Sequence, residues 1–216
     1  MGFIKILNIN AVRKFLLVFY IVAVIGFLFP LTYPYFKILT PLALLINVLL
    51  LFNFHENWNI KFVIISIIIL LTSYFAEVIG VNTGIIFGNY TYGKMLGPKL
   101  FNTPLITALS WLMLIYCTYI IINLLNIHTI YKIVVGALIL VLFDIVMEPA
   151  AINFGMWAWE GNQVPILNSI SWFILSLLLL SLLKVFKTNI KNEIGKFIIA
   201  YQFAFFVILL LYFYFV

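Results

Sequence analysis

Seven long apolar runs constrain the fold of this chain more than any other feature. They cover roughly residues 11–29, 36–54, 60–80, 103–125, 128–148, 165–186 and 196–216, and a helix needs about 20 such residues to cross a bilayer. Only 8% of the residues are charged, against about 25% in soluble domains, which excludes a soluble fold. The runs are continuous rather than alternating, which favours helices over membrane strands. The sequence therefore predicts an all-α polytopic membrane helix bundle of about seven transmembrane helices, forming a single domain over residues 1–216.

Basic residues at the ends of these runs indicate the direction of the chain, because they concentrate on the cytoplasmic side of a membrane. We expect a cytoplasmic N-terminus, an external C-terminus and a bacterial inner membrane. The first run has no small-residue cleavage motif, so we interpret it as a retained span rather than a signal peptide. This direction places nine basic residues inside (Lys5, Arg13, Lys14, Lys61, Lys132, Lys184, Lys187, Lys191 and Lys196) and three outside (Lys37, Lys94 and Lys99).

Two similar aromatic phrases occur in the two longest connections between the runs. FGNYTYG covers residues 87–93, and FGMWAWEG covers residues 154–161. Glu77 lies ten residues before the first phrase, and Asp144 lies ten residues before the second. Long loops are often functional, and the matching acidic residues make these two loops the first candidates for a site.

A Pro-x5-Ser-Trp pattern follows each phrase and extends the similarity. The strings are PLITALSW, which ends at Trp111, and PILNSISW, which ends at Trp172. The sequence predicts a parallel internal repeat of helices three and four with helices five and six, covering about 70–125 and 137–186. Sites in membrane proteins built from repeats often lie at the repeat interface. The alternative is independent use of interfacial aromatic residues.

Three acidic residues lie within the apolar runs: Glu77, Asp144 and Glu148. A carboxylate inside a bilayer is costly and therefore marks a functional site. Asp144 and Glu148 are four residues apart on one helix face, and the repeat places Glu77 at the level of Asp144. Without basic partners, such carboxyls favour the protonated form that a general acid needs. We predict these three as catalytic; the alternative is that they only hydrogen-bond to one another or to loop backbone.

Aromatic and polar residues around these acids are candidates for the walls of a pocket. Aromatic faces stabilise cations, although an interfacial aromatic belt is the alternative interpretation. Small residues at positions 76, 80, 84 and 88 predict a face for close helix contact. Metal-ligand spacings are missing, and we predict neither a metal nor a cofactor. The predicted substrate-binding residues are Asn82, Thr83, Phe87, Asn89, Tyr90, Tyr92, Trp111, Phe154, Trp157, Trp159 and Trp172.

The strings FAEVIGVNTGIIFGNYTYGKMLG and FDIVMEPAAINFGMWAWEG resemble carotenoid biosynthesis membrane proteins of the carotenoid 1,2-hydratase type, which include γ-carotene and bisanhydrobacterioruberin hydratases. The resemblance covers about residues 70–172 and implies cofactor-free hydration of an acyclic carotenoid end group, such as that of lycopene or γ-carotene. The family's acidic positions fall on Glu77, Asp144 and Glu148. A protonated carboxyl would donate to C2, and water held by a second carboxylate would attack the tertiary cation at C1. The resemblance implies water as a partner of the reaction, and the apolar spans imply membrane lipid. The net charge of +6 does not indicate nucleic acid, because the basic residues lie at the ends of the apolar runs.

Two other functions remain open from the sequence. A membrane carotenoid cyclase would begin with the same protonation, but an internal double bond would capture the cation. A small-molecule or proton-coupled transporter also fits parallel repeats and intramembrane acids, although neither acidic helix is broken at mid-membrane. A retinal receptor is excluded because the last run has no lysine after Lys196. The residues do not decide which carboxyl is the acid and which one positions water.

Overall fold

The structure is a computed structural model that describes residues 7–215. Each of the seven α-helices in this range is long and apolar enough to cross a membrane, which confirms the predicted all-α membrane bundle. Lys5, used above to orient the chain, lies outside the described residues. The helices are α1 (Ile9–Leu28), α2 (Tyr33–Asn53), α3 (Ile60–Thr83), α4 (Ile106–Asn123), α5 (Thr129–Asn153), α6 (Ile166–Val185) and α7 (Gly195–Phe215).

The connections after α3 and α5 contain short strands that the sequence did not predict. The strands are β1 (Tyr90–Tyr92), β2 (Lys99–Leu100), β3 (Thr103–Pro104) and β4 (Trp157–Trp159). β1 pairs antiparallel with β4, and β2 pairs antiparallel with β3. We call β1 and β4 together the aromatic ribbon, and the side of the bundle that they cover the ribbon end. The two aromatic phrases therefore meet directly, while an origin by duplication stays a prediction.

Glycines end α3 and turn the chain back onto the helix. Gly84 caps α3 in the left-handed region at φ 69°, and its N–H donates to the carbonyl of Gly80 at 2.8 Å. Gly88 also has a positive φ, of 100°. A Cβ on Gly80 would lie 2.5 Å from Cδ2 of Phe87. The predicted small-residue face is therefore wrong beyond Gly80, because the glycines admit the returning loop rather than a second helix.

α5 continues through Pro149 to Asn153, beyond its predicted end at residue 148. Glu77 lies six residues before the last residue of α3. Glu148 and Asp144 lie five and nine residues before the last residue of α5. At 1.5 Å per residue these depths are about 9, 8 and 14 Å. The predicted equal level of Glu77 and Asp144 is therefore wrong, because the longer α5 places Asp144 about one turn deeper and Glu148 level with Glu77.

α4 is the central helix of the bundle. In its 18-residue apolar stretch 67% is buried, whereas the corresponding stretches of α1 and α2 are 22% and 17% buried. The exposed apolar side chains of the surrounding helices suit contact with lipid tails. α4 thus carries Trp111 into the middle of the ribbon end, where this side chain is 3% exposed. Its position lets it reach residues from several other helices.

The opposite end of the bundle contains a buried polar cluster. Nδ1 of His55 lies 2.7 Å from the hydroxyl of Tyr116. Nδ2 of Asn192 donates to the same hydroxyl at 3.0 Å and to the carbonyl of Leu51 at 2.6 Å. Burial lowers the pKa of His55 to about 4, so this ring is neutral near pH 7. The Tyr116 hydroxyl on α4 thus contacts both the connection that contains His55 and the one that contains Asn192.

Candidate active site

Glu77 on α3 accepts a hydrogen bond from each of three aromatic side chains. Oε2 accepts from the hydroxyls of Tyr90 at 2.6 Å and Tyr92 at 2.7 Å. Oε1 accepts from Nε1 of Trp111 at 2.7 Å. Tyr90 and Tyr92 are two residues apart on β1, so they point to the same side of the strand. The ribbon and α4 thereby hold the Glu77 carboxyl in one orientation.

Glu148 on α5 is held in the same way by the other strand of the ribbon. Oε2 accepts from Nε1 of Trp157 at 2.9 Å and Nε1 of Trp159 at 3.0 Å. Oε1 accepts from Nδ2 of Asn168 at 3.3 Å. By its hydrogen bonds, Glu148 is therefore the counterpart of Glu77, although sequence spacing paired Glu77 with Asp144.

The ribbon sets the two glutamates side by side through its register. Tyr90 faces Trp159 and Tyr92 faces Trp157 across the pair of strands. The ring centroids of these pairs are 4.9 and 6.2 Å apart. Burial, and secondly the charge of Glu77, raise the pKa of both tyrosines well above the ordinary value for a phenol. Both phenols are consequently neutral and can donate or accept hydrogen bonds.

Asp144 lies deeper on α5, is 1% exposed and has a single hydrogen-bond donor in the described part of the chain. Oδ2 accepts from Nδ2 of Asn168 at 2.7 Å. The same nitrogen donates to Glu148, so one amide connects the two acids. Within residues 7–215 nothing donates to Oδ1 of Asp144. This oxygen remains available for water or substrate.

Asn168 is the one polar residue of this cluster that the sequence reasoning missed. It lies three residues after Pro165 in the repeated string PILNSISW, near the start of α6, and is 2% exposed. The signal was a single amide in an apolar helix at the repeat interface. The first copy has Thr107 at this position, and its hydroxyl donates to the carbonyl of Pro104 at 2.7 Å instead.

Two adjoining cavities meet at Glu77. The larger, of about 450 Å³, is mainly apolar and lies among α1, α2, α4, α5 and α7. The smaller, of about 40 Å³, is lined by all three acids and Asn168. Of the three acids, only Glu77 lines both cavities. The other residues that line both are Tyr92, Trp157 and Trp172.

Trp111 and Trp172, the equivalent tryptophans of the predicted repeat, stack on each other beside Glu77. Their ring centroids are 4.2 Å apart with an angle of 30° between the planes. Both line the larger cavity, and Phe87 lines the smaller one. The structure therefore brings together ten predicted residues: Glu77, Asp144, Glu148, Phe87, Tyr90, Tyr92, Trp111, Trp157, Trp159 and Trp172.

Three predicted polar contacts lie outside both cavities. Asn82 donates to the carbonyl of Phe101 at 2.9 Å, and Thr83 donates to the carbonyl of Ile79 at 2.6 Å. Nδ2 of Asn89 donates to Oε2 of Glu160 at 2.6 Å, which joins the two ribbon loops. Asn82, Thr83 and Asn89 are exposed. They stabilise turns and loops around the site, because they donate to backbone carbonyls or to Glu160 rather than to the Glu77 carboxyl.

Phe154, also predicted to contact substrate, packs on the outside of the cavities. Its ring lies 4.8 Å from Phe27 and 5.3 Å from Phe213, measured between centroids. Its carbonyl accepts from the hydroxyl of Tyr33 at 3.2 Å. Phe154 therefore joins α1, α2 and α7 to the ribbon end. Within residues 7–215, no three His, Cys, Asp or Glu side chains are arranged to hold a metal ion.

Comparison with known proteins identifies the group to which this architecture belongs. Residues 32–216 match the family described as carotenoid biosynthesis protein. A bisanhydrobacterioruberin hydratase from Haloarcula japonica is 31% identical over 112 residues, which are 48% of this chain and 38% of that protein. The chain thus matches well under half the length of this relative. No solved structure shows significant similarity to the chain.

Proposed function

The chain belongs to the carotenoid biosynthesis protein family, and we propose that it adds water across the terminal C1,2 double bond of an acyclic carotenoid. The observation that carries this proposal is the position of Glu77, which lines both the large apolar cavity and the small polar cavity. A hydration needs one acid in contact with an apolar chain and one polar space for water. The named relative, a hydratase, supports the same reaction class.

The polyene occupies the larger cavity in this proposal. Four side chains that line it are about half exposed on the bundle surface: Phe15, Val18 and Val22 of α1 and Leu39 of α2. Lipid tails contact this surface in a membrane. The cavity thus opens sideways between α1 and α2, which lets a hydrophobic chain enter from the bilayer without crossing water.

Glu77 is the proton donor in this mechanism. Indole N–H groups only donate, so Oε1 beside Trp111 serves as an acceptor. The hydroxyls of Tyr90 and Tyr92 both donate and accept, so Oε2 can hold a proton at rest and bond to one phenol oxygen. After the proton passes to C2, both phenols donate to the new carboxylate at the observed 2.6 and 2.7 Å.

The stacked tryptophans stabilise the cation that protonation creates. Transfer of the proton to C2 leaves a tertiary cation at C1. Trp111 and Trp172 line the cavity next to Glu77, and the faces of aromatic rings attract cations. An apolar wall also excludes bulk water, so that the cation reacts with one positioned molecule.

The smaller cavity holds that water. Its volume of about 40 Å³ exceeds the roughly 10–15 Å³ that one water requires. Water attacks C1 and passes one proton to the free oxygen of Asp144, while Glu148 accepts its hydrogen bond. Asp144 then releases this proton and Glu77 regains one, which restores both carboxyls to their starting states. In sum, C2 gains a hydrogen, C1 gains a hydroxyl and one water is consumed.

The site lies near the external face if the basic residues orient the chain as expected. We therefore propose a bacterial inner membrane location with a cytoplasmic N-terminus and an external C-terminus. Reporter fusions at the two termini test this direction separately from the chemistry.

Coexpression with a pathway that makes acyclic carotenoids tests the activity. We expect a new pigment that is heavier by the mass of one water molecule. Glu77→Gln should abolish it, whereas Glu193→Gln, in an exposed connection, should not. A pigment of unchanged mass and shortened chromophore would identify a cyclase. Full activity of Glu77→Gln would exclude the proposed acid.

A further inference from the structure

A second polar group lies inside the large apolar cavity, away from the three acids. It consists of Tyr20 on α1, Asn47 on α2 and Gln202 on α7, and all three line the cavity. The hydroxyl of Tyr20 donates to Oδ1 of Asn47 at 3.2 Å, and Nδ2 of Asn47 donates to the carbonyl of Ala43 at 2.9 Å. We call these three residues the deep amide site.

Helix association explains part of this group, because the bond between Tyr20 and Asn47 joins α1 to α2. It does not explain Gln202. This side chain is 7% exposed, and the structure shows no hydrogen bond from its amide to any residue of the range 7–215. A buried amide without a partner is costly, whereas an apolar residue of the same shape would avoid that cost.

Gln202, the innermost residue of the deep amide site, lies farther into the bundle than the carboxyls. Phe27 of α1 and Phe213 of α7 both contact the same ring at the ribbon end. Tyr20 lies seven residues from Phe27, and Gln202 lies eleven residues from Phe213, both away from the ribbon end. At the helical rise these distances are about 10 and 16 Å. Glu77 is about 9 Å from the end of α3 by the same measure. A chain that extends inward from Glu77 therefore passes the site within about two turns.

We propose that the deep amide site binds a hydroxyl group on the polyene chain, which makes the preferred substrate an oxygenated acyclic polyene rather than a hydrocarbon. A hydroxyl both donates and accepts. The Gln202 amide offers both functions, Asn47 retains a second N–H, and the Tyr20 oxygen can accept. This inference rests on the proposed function for the identity of the chain as a polyene.

Two acyclic polyenes that differ by one hydroxyl, placed on the same half of the chain as the reacting double bond, test the proposal. Binding to the purified full-length protein is measured by quenching of tryptophan fluorescence, because Trp111, Trp157 and Trp172 line the cavity. We expect the wild type to bind the hydroxylated polyene about tenfold more tightly, as one buried hydrogen bond allows.

Gln202→Leu should remove this preference by weakening binding of the hydroxylated polyene relative to the hydrocarbon, and Tyr20→Phe should reduce it. Thr118→Val is the matched control, since its hydroxyl is also buried without a partner within residues 7–215 but does not line the cavity. A preference that survives in Gln202→Leu, or a wild type without any preference, would overturn the proposal.

The binding assay also separates this site from the proposed reaction, because quenching does not require turnover. Preferential binding of the hydroxylated polyene without a hydrated product would refute the hydratase and support the deep amide site. Hydration of both polyenes with equal affinity would support the hydratase and refute the deep amide site. Failure to bind either polyene would refute both.

Discussion

Glutamine at Glu77 should leave the fold unchanged and stop the reaction. The amide has the shape of a protonated glutamate, so its oxygen accepts from Trp111 while its two N–H groups donate to the hydroxyls of Tyr90 and Tyr92. All three observed hydrogen bonds keep a partner, and we expect a change in unfolding free energy below about 0.5 kcal/mol. The amide cannot deliver a proton, so turnover should fall by at least about 10²-fold.

Glutamine at Glu148 should behave differently, because every partner of this side chain is a donor. Its amide oxygen can face the indoles of Trp157 and Trp159, but its nitrogen then meets Nδ2 of Asn168. Rotating the Asn168 amide would remove the only described donor to Asp144. One buried hydrogen bond is lost in either arrangement, at about 1–3 kcal/mol.

Thermal unfolding of the purified proteins in detergent, followed by tryptophan fluorescence, measures this contrast. At about 2–4 °C per kcal/mol for a chain of this length, Glu148→Gln should lower Tm by several degrees, and Glu77→Gln should match the wild type. Product analysis of the same samples should show no hydrated product with Glu77→Gln. Equal destabilisation by the two substitutions, or an active Glu77→Gln, would refute the assignment of the protonated acid.

Three further substitutions test the scaffold. Gly80→Ala places a Cβ 2.5 Å from the Phe87 ring. Because the ring can shift, we expect overpacking to cost about 1–3 kcal/mol and to lower Tm. An unchanged Tm would contradict this expectation. Gly93→Ala places its Cβ 2.0 Å from the carbonyl oxygen of Gly155, a backbone atom that cannot rotate away. We expect the two strands of the ribbon to be forced apart and hydration to be lost. Wild-type turnover would show that the reaction does not need the close pairing of these strands. The pKa of His55 is lowered from 6.5 to about 4, so the unfolded chain binds more protons between these values. The Tm of the wild type should therefore fall as pH falls from about 6.5 to 4, and the Tm of His55→Phe should fall less. Equal dependence of Tm on pH in the two proteins would assign the effect to another group.

The spans and the acids were predictable from the sequence because both depend on composition within a run. Hydrophobicity alone placed all seven helices to within a few residues. The three carboxyls stood out because charge is rare in such runs. They could be recognised in this way although Glu77 lies on a different helix from Asp144 and Glu148. The two aromatic phrases were recognised as a pair from their similar sequences. In the structure, the strands that carry them pair with each other.

The pairing of donors with acids could not be predicted, since it depends on where each helix ends. Spacing along the chain matched Glu77 with Asp144. Continuation of α5 through Pro149 shifts that match by about one turn and brings Glu148 to the tryptophans. Asn168 was missed for a related reason: a single amide in an apolar helix shows its importance only when its partners are known.

Asn82, Thr83 and Asn89 show the opposite error. Their closeness to Glu77 along the chain suggested contact with substrate. Asn82 and Thr83 instead lie in the last turn of α3 and donate to backbone carbonyls, and Asn89 donates to Glu160 of the neighbouring loop. Sequence proximity to an acid does not predict a contact within a helix, because residues five and six positions after Glu77 lie on a different helix face.

Hydration by the purified protein in lipid vesicles, in water labelled with ¹⁸O or with deuterium, tests the central claim most directly. The account predicts an alcohol with one oxygen from solvent at C1 and one non-exchangeable hydrogen from solvent at C2. A product of unchanged mass in ordinary water, or an alcohol whose oxygen does not come from solvent, would contradict it.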